Sequence, residues 1–398
     1  MRPIGMHHWA RLAIGLWAIL AAVVCIKPLF APTSGTVYIT YATAGEEFEA
    51  GRRLYNVSHP DTDNFRYPPP IAAGFAPLSH LPSGIGGSLW RLAGIAIFLT
   101  GLAAWARRVQ PSISLPLGFL LALPLSIGSL NNGQANTHVA GLMLWGCALA
   151  SRGRWALAAV LVAGAAIFKG YPIALAGLLV LLAPLRFGLP LLLGLAAGFV
   201  LPYAFQSADY VTAQYRFLFE NLQGDDRTSR PLYAGYQDFH MLLRVVGLYV
   251  PRGEYRFVEA ATGLVAAGFV LRLRRRMPGP QIALHSFSLG ACWMCLFSPA
   301  IEASTFILLT PVVAVEALAA PRPAWSKWAA YSGLILLFAA VVLFAFPHAV
   351  HRPIIALGIL PMGAALVTMG AVARLATAAP IEPARLSAPE ETPLRRAA

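Results

Sequence analysis

Apolar runs of about fifteen or more residues, separated by short polar breaks, recur along nearly the whole chain. Runs of that length predict membrane helices, here over 9–31, 87–106, 113–130, 135–150, 154–168, 171–184, 187–205, 257–273, 281–297, 303–319, 326–346 and 352–376. The pattern therefore predicts an all-α, polytopic integral membrane protein with about twelve transmembrane helices, forming one multi-span domain over 1–376. Two stretches are too long and too polar to be turns between spans, 32–86 and 206–256. In the first, "EEFEAGRRLYN" at 46–56 reads as a short amphipathic piece lying along the membrane surface. "FRYPPPIAAGFAPLSHLP" at 65–82 has an apolar part too short and too proline-rich for an ordinary span, and reads as a re-entrant or interfacial element. The end, 377–398, is rich in Ala, Pro and charges and reads as a disordered cytoplasmic tail. No tandem repeat stands out.

Composition agrees with the pattern: of 398 residues, 58% are hydrophobic and only 12% charged, which sets aside a soluble globular domain. The apolar segment at 9–31 is long, lacks a clear cleavage site and is followed by further runs, so it reads as the first membrane helix rather than a signal peptide. The four cysteines, Cys25, Cys147, Cys292 and Cys295, all fall inside apolar runs and read as small packing residues.

Charge sets the orientation. With the N-terminus inside, the short inner connections carry Arg107, Arg108, Arg152, Arg154, Arg186, Arg272, Arg274, Arg275, Arg276, Arg322 and Lys327, eleven in all. The short outer ones carry two, Lys169 and Arg352. Both termini are then cytoplasmic, and 32–86 and 206–256 become two large outer loops. The net charge of +13 faces anionic lipid, and no nucleic-acid partner is needed to explain it.

Three polar clusters then gather at outer span ends: "NNGQANTH" at 131–138, "FKGYP" at 168–172 and "SPAIEAST" at 298–305. Together they suggest a cleft open to lipid and to the outer aqueous phase. Each also has a plain structural reading, since Asn and Gln cap helices or bond between them and a Lys at a helix end snorkels. Lys169 departs from the second reading because the outer loops otherwise avoid Lys and Arg. Glu302 suits the start of a helix, where the dipole favours a carboxylate, or could orient Lys169. Arg227 and Arg230, in the second outer loop, could bind an acidic acceptor or a donor phosphate.

Beyond these clusters, Ala44, Gly45, Gly51, Leu54 and Tyr55 form an "AG…G…LY" pattern, followed by the 65–82 segment, "GQAN" at 133–136, "RGRW…FKGYP" over 152–172 and "SPAIEASTFILLTP" at 298–311. In this order and spacing the chain resembles the family-87 glycosyltransferases, polytopic members of the GT-C class. The resemblance runs through most of the chain and implies transfer of a hexose, mannose favoured, from a polyprenyl-phosphate sugar to a lipid or glycan acceptor at the outer face of the cell membrane, with inversion. Such a reaction needs a base for the acceptor proton, cations or donors for the phosphate and an apolar groove for the isoprenoid tail, and it needs no cofactor and no metal. On this view Lys169 neutralises the leaving phosphate, while Gln134, Asn136 and Tyr67 bond sugar or phosphate oxygens. The implied partners are the bilayer, the lipid-linked sugar and a glycolipid or glycan acceptor.

Two positions depart from the family pattern. The aspartate that family members carry eight residues before the glycine matching Gly45 is Val37 here, and the hydroxyl of its neighbour Thr36 is too weak an acid to serve as a base near neutral pH. A His that often follows the Glu matching Glu302 by two residues is Ser304. Substitute bases in the same loop are Glu46, Glu47, Asp61 and Asp63. Two rival functions stay open: a catalytically silent relative that keeps the lipid groove, and a transporter or flippase of a lipid-linked solute.

Overall fold

In the computed structural model, which describes residues 6–34, 36–57, 62–224, 227, 230–318 and 323–377, every regular element is helical. In chain order the first helices are α1 (Met6–Phe30), α2 (Tyr38–Glu49), α3 (Pro69–Ser79), α4 (Ser83–Val109), α5 (Leu115–Asn131) and α6 (Asn136–Ala150). The middle of the chain forms α7 (Trp155–Phe168), α8 (Ile173–Leu182), α9 (Pro184–Val200), α10 (Ala208–Gly224), α11 (Phe239–Val245) and α12 (Arg252–Leu273). The remainder forms α13 (Gly279–Phe297), a 3-10 turn (Ala303–Leu309) running into α14 (Thr310–Leu318), then α15 (Ala324–Leu343), α16 (His348–Ile355) and α17 (Ile359–Thr377).

Each of the twelve apolar segments coincides with helix, but they are not equal. Among the described residues five helices are long and apolar enough to cross a membrane: α1, α4, Pro184–Ala204, α15 and α17. Others are apolar but shorter, among them α5, α7, α8 and Ala303–Leu318. At about 1.5 Å per residue, the ten residues of α8 rise only half the thickness of a hydrocarbon core. The segment expected over 352–376 is divided, because Gly358 takes a left-handed φ of +72° between α16 and α17. Arg322, Asp61 and the tail beyond Thr377 lie outside the described residues.

The main core is built between the long helices. Phe98 and Trp105 of α4, Met143 of α6, Phe187 of α9 and Phe287 of α13 are all fully buried in it. Where α4 crosses α6 the backbones touch: a Cβ on Gly141 would sit 2.6 Å from the Ile97 carbonyl carbon. Such close approach is how small residues let membrane helices pack. Cys147, Cys292 and Cys295 are buried and free in this packing, and Cys25 is half-buried.

The two polar stretches are not loose loops. The expected surface piece at 46–56 is instead the end of α2, which begins at Tyr38 and buries Tyr38, Tyr41, Ala44 and Phe48. The run "YITYATA" is aromatic and β-branched, so its helical character is hidden from propensity and emerges only by packing. The helix stops at Glu49, and Gly51 turns the chain with φ +68°. The proline-rich element becomes α3, with Pro69 opening the helix where no N–H partner is required. Helices α2 and α3 share a second core, into which Leu54, Tyr55 and Phe65 also pack, with Leu218 of α10 closing it. Gln206 donates to the Phe48 carbonyl at 2.8 Å, Tyr210 to that of Arg52 at 2.7 Å, and Asn221 to that of Phe65 at 3.2 Å. The two stretches, far apart in sequence, thus form one layer over one end of the helices.

Candidate functional site

The turn between α5 and α6 places the first site residues. Helix α5 ends in a Schellman arrangement, with Gly133 left-handed at φ +61°, its N–H bonded to the Leu130 carbonyl at 3.1 Å and the Gln134 N–H to that of Ser129 at 2.9 Å. Arg91 of α4 completes the cap. It is 2% exposed, and its guanidinium donates to the carbonyls of Leu130 (2.9 Å), Asn131 (2.9 Å) and Gly87 (3.0 Å) and to the Thr36 hydroxyl (3.0 Å). Gln134 is thereby presented on a fixed turn, and Asn136, fully buried, opens α6 beside it.

A single hydrogen-bonded network runs from there through three other segments. Lys169, at the extended residue that ends α7, donates from Nζ to Gln134 Oε1 at 3.3 Å. Asn136 Nδ2 donates to the same oxygen and to Ser304 Oγ, each at 3.2 Å, and Asn136 Oδ1 accepts from the Tyr171 hydroxyl at 3.1 Å. Gln134 Nε2 donates to Glu302 Oε2 at 3.2 Å. The other oxygen of Glu302 accepts from Arg227 Nη1 at 3.4 Å. Ala300, left-handed at φ +62°, reverses the chain after α13 so that Glu302 faces the turn.

An aromatic wall stands beside this network. The Lys169 ammonium lies 6.0 Å from the Tyr67 ring centre, near the limit of a cation–π contact. The Tyr41 hydroxyl donates to that of Tyr67 at 2.9 Å. Burial, with Tyr67 alongside, holds the Tyr41 phenol well above its ordinary range, so it stays a donor. Tyr41 packs edge-on against Tyr67 at 4.9 Å and Phe168 at 5.8 Å. Trp90, stacked on His138 at 3.7 Å, closes the wall from α4.

Two features give the site its character. Among the described residues no carboxylate forms an ion pair with Lys169, so its charge is held by a neutral amide and remains available to an anion. Glu302 is the network's only carboxylate among those residues, and its side chain is 42% exposed although two donors hold it.

Of the residues singled out by sequence, Lys169, Gln134, Asn136, Glu302 and Arg227 are thus joined by hydrogen bonds, and Tyr67 flanks them. The others lie elsewhere. Glu46 and Glu47, at the far end of α2, both bond Arg52, Glu46 at 3.4 Å. Asp63 is exposed and paired with Arg66 at 3.2 Å. Arg230 takes part through its carbonyl, which accepts from Arg244 at 2.8 Å, and its side chain lines a separate cleft. Val37, where the resemblance expects an aspartate, directly precedes α2 and donates its N–H to the Asn132 carbonyl at 2.7 Å, so that position borders the Gln134 turn. Reading the sequence missed Arg91, Tyr41 and Tyr171. A charged residue inside the apolar run of α4 was a usable signal for Arg91, and Tyr171 stands inside the quoted "FKGYP", whereas nothing local marks Tyr41.

Two solved structures of ArnT from Cupriavidus metallidurans are similar to the chain. One is in the apo state, at 17% identity, TM-score 0.43, covering 90% of this chain and 77% of that one. The other is bound to undecaprenyl phosphate, at 16% identity, TM-score 0.41 and the same coverage, 90% and 77%. No curated protein matches the chain. The model of glycosyltransferase family 87 matches residues 65–299, which hold the proline-rich segment, the Gln134 turn and Lys169, and the chain belongs to that family.

Proposed function

We propose that this membrane glycosyltransferase moves a hexose, mannose favoured, from a polyprenyl-phosphate sugar to a lipid or glycan acceptor at the outer face of the cell membrane, with both termini cytoplasmic. The observation that carries the reading is Lys169: a cation with no carboxylate partner among the described residues, held by Gln134 between a polar network and an aromatic wall. A lipid phosphate brings a negative charge to the membrane boundary, and a fixed ammonium with neighbouring amide donors suits it.

In this reading the acceptor oxygen bonds the anomeric carbon as the bond from that carbon to the phosphate oxygen breaks, and the electron pair leaves on polyprenyl phosphate. Lys169 stabilises the charge growing on that oxygen, a task for which a prearranged cation is effective. Gln134, Asn136 and Tyr67 orient the sugar phosphate, and Arg227 holds Glu302 in place. The acceptor proton passes to Glu302, the one carboxylate among the described residues that joins the Gln134 network, whereas Glu46, Glu47 and Asp63 pair with Arg52 and Arg66 outside it. No metal is required, since Lys169 supplies the positive charge.

A second reading, a silent relative that binds the lipid without transfer, is favoured by one observation: Val37 puts an aliphatic side chain beside the Gln134 turn. The test is the purified protein in nanodiscs with radiolabelled polyprenyl-phosphate hexoses and host lipid extract. Label is expected in a new product with the wild type and not with Glu302→Gln. Saturable binding of polyprenyl phosphate without product from any donor would instead select the silent relative.

A further inference from the structure

The cleft that receives Arg230 has no part in the network around Lys169. It has a volume of about 360 Å³ and is lined by Asn56, Asn64, Arg66, Glu220, Asn221 and Arg230, large enough for a small polar ligand. Both polar stretches build it: the first contributes the residues after α2, the second the end of α10 and the segment beyond. It exists because Asn221 clamps the Phe65 carbonyl at 3.2 Å and because Asn56 adopts a left-handed φ of +55°, a conformation Asn tolerates better than most residues. That turn follows Tyr55, whose hydroxyl donates to the Tyr67 carbonyl at 2.7 Å.

The lining chemistry is specific in kind. Three carboxamides, two guanidinium groups and one carboxylate offer planar, paired donors and acceptors around a small volume, with no apolar side chain among them. Vicinal hydroxyls both give and take hydrogen bonds and so match such a lining, whereas an isoprenoid tail would meet mostly polar surface there. The location adds to this. Arg66 is the chain neighbour of Tyr67, which flanks Lys169, and the Arg230 N–H bonds the carbonyl of Arg227, whose side chain holds Glu302.

We infer that this cleft binds the acceptor, as a hydroxyl-rich sugar or polyol headgroup. The inference rests on the transferase reading for the word acceptor, but the binding site stands independently of it. The headgroup enters from the aqueous side between the two polar stretches, while the donor's tail stays with the apolar helices, so that a hydroxyl reaches the anomeric carbon past Tyr67 and Arg227.

The test uses the full chain in nanodiscs and methyl α-D-mannopyranoside as probe, with binding measured by saturation-transfer NMR in the absence of donor. Saturable binding is expected, weakened at least fivefold by Arg230→Met and by Asn64→Ala, two exposed positions whose replacement leaves the packed cores untouched. Unchanged affinity in both variants, or no saturable binding to the wild type, overturns the inference. Sugar transfer to host lipid extract is measured alongside. Binding that depends on the cleft without any transfer would remove the donor reading and leave the cleft a hydroxyl-binding site.

Discussion

Gln134 carries more of the site than its neutral side chain suggests. Its carbonyl oxygen accepts from Lys169 and Asn136 while its amide donates to Glu302, so one residue fixes both the cation and the carboxylate. Gln134→Leu keeps the volume and removes all three bonds. Two of these bonds go to charged groups and contribute about 1.5–3 kcal/mol each, so kcat/KM for sugar transfer should fall at least roughly 100-fold while the protein stays folded by thermal melting. Wild-type kinetics in this variant would mean that the network does not position the reacting groups. Lys169, Gln134, Asn136 and Glu302 are legible in the sequence for one physical reason: polar groups at the edges of apolar runs are costly unless they have partners, which makes their residue types conspicuous. That Glu302 joins Lys169 is legible as only one of two readings of a carboxylate at a helix start, and the loop carboxylates compete with it in the sequence. Glu46, Glu47 and Asp63 share a segment with Tyr67, yet local arginines hold them away, whereas Glu302 arrives from 133 residues beyond Lys169 through a left-handed turn at Ala300.

At the scale of elements, the turn after α5 depends on two unlike devices, the left-handed Gly133 and the buried Arg91. A Cβ at position 133 would be strained in φ and would lie 3.1 Å from the Arg91 guanidinium carbon, so Gly133→Ala should cost about 1–2 kcal/mol. Arg91→Met uncovers the carbonyls of Leu130 and Asn131 inside the protein, a loss of about 2–4 kcal/mol. Both should lower the melting temperature of detergent-solubilised protein, Arg91→Met more than Gly133→Ala, and a melting temperature unchanged by Arg91→Met would show that the cap is dispensable. Hydrophobic periodicity finds the long helices because their lipid-facing and core-facing sides are both apolar. It finds α2 poorly: that helix is buried by aromatic packing against α3 and α10, and its only strongly polar part is the last turn. The break at Gly358 is likewise invisible to hydropathy, since both sides of it are apolar.

For the whole molecule, the uneven distribution of Lys and Arg predicts which way the layer formed by the two polar stretches faces. Single cysteines test it: Asn64→Cys should react with a membrane-impermeant maleimide on intact cells, and Ser112→Cys, in the connection between α4 and α5, only after permeabilisation. The reverse pattern would turn the site toward the cytoplasm. The three buried native cysteines are shielded, so a strain carrying the unmodified protein provides the background. The overall plan, apolar helices beneath one polar layer, is legible from the sequence because lipid imposes it. The docking of 36–57 and 62–79 onto 206–224 is not, because it rests on side chains meeting across more than 150 positions, as Gln206 meets the Phe48 carbonyl. These scales meet in the proposed role of Lys169, a cation beneath this layer for a lipid-linked phosphate. The most direct test is the transfer rate of labelled hexose from its polyprenyl phosphate by wild-type and Lys169→Met protein in nanodiscs at equal, verified folding. A loss of at least tenfold in kcat/KM, partly restored by Lys169→Arg, is the predicted result; equal rates for wild type and Lys169→Met would contradict it.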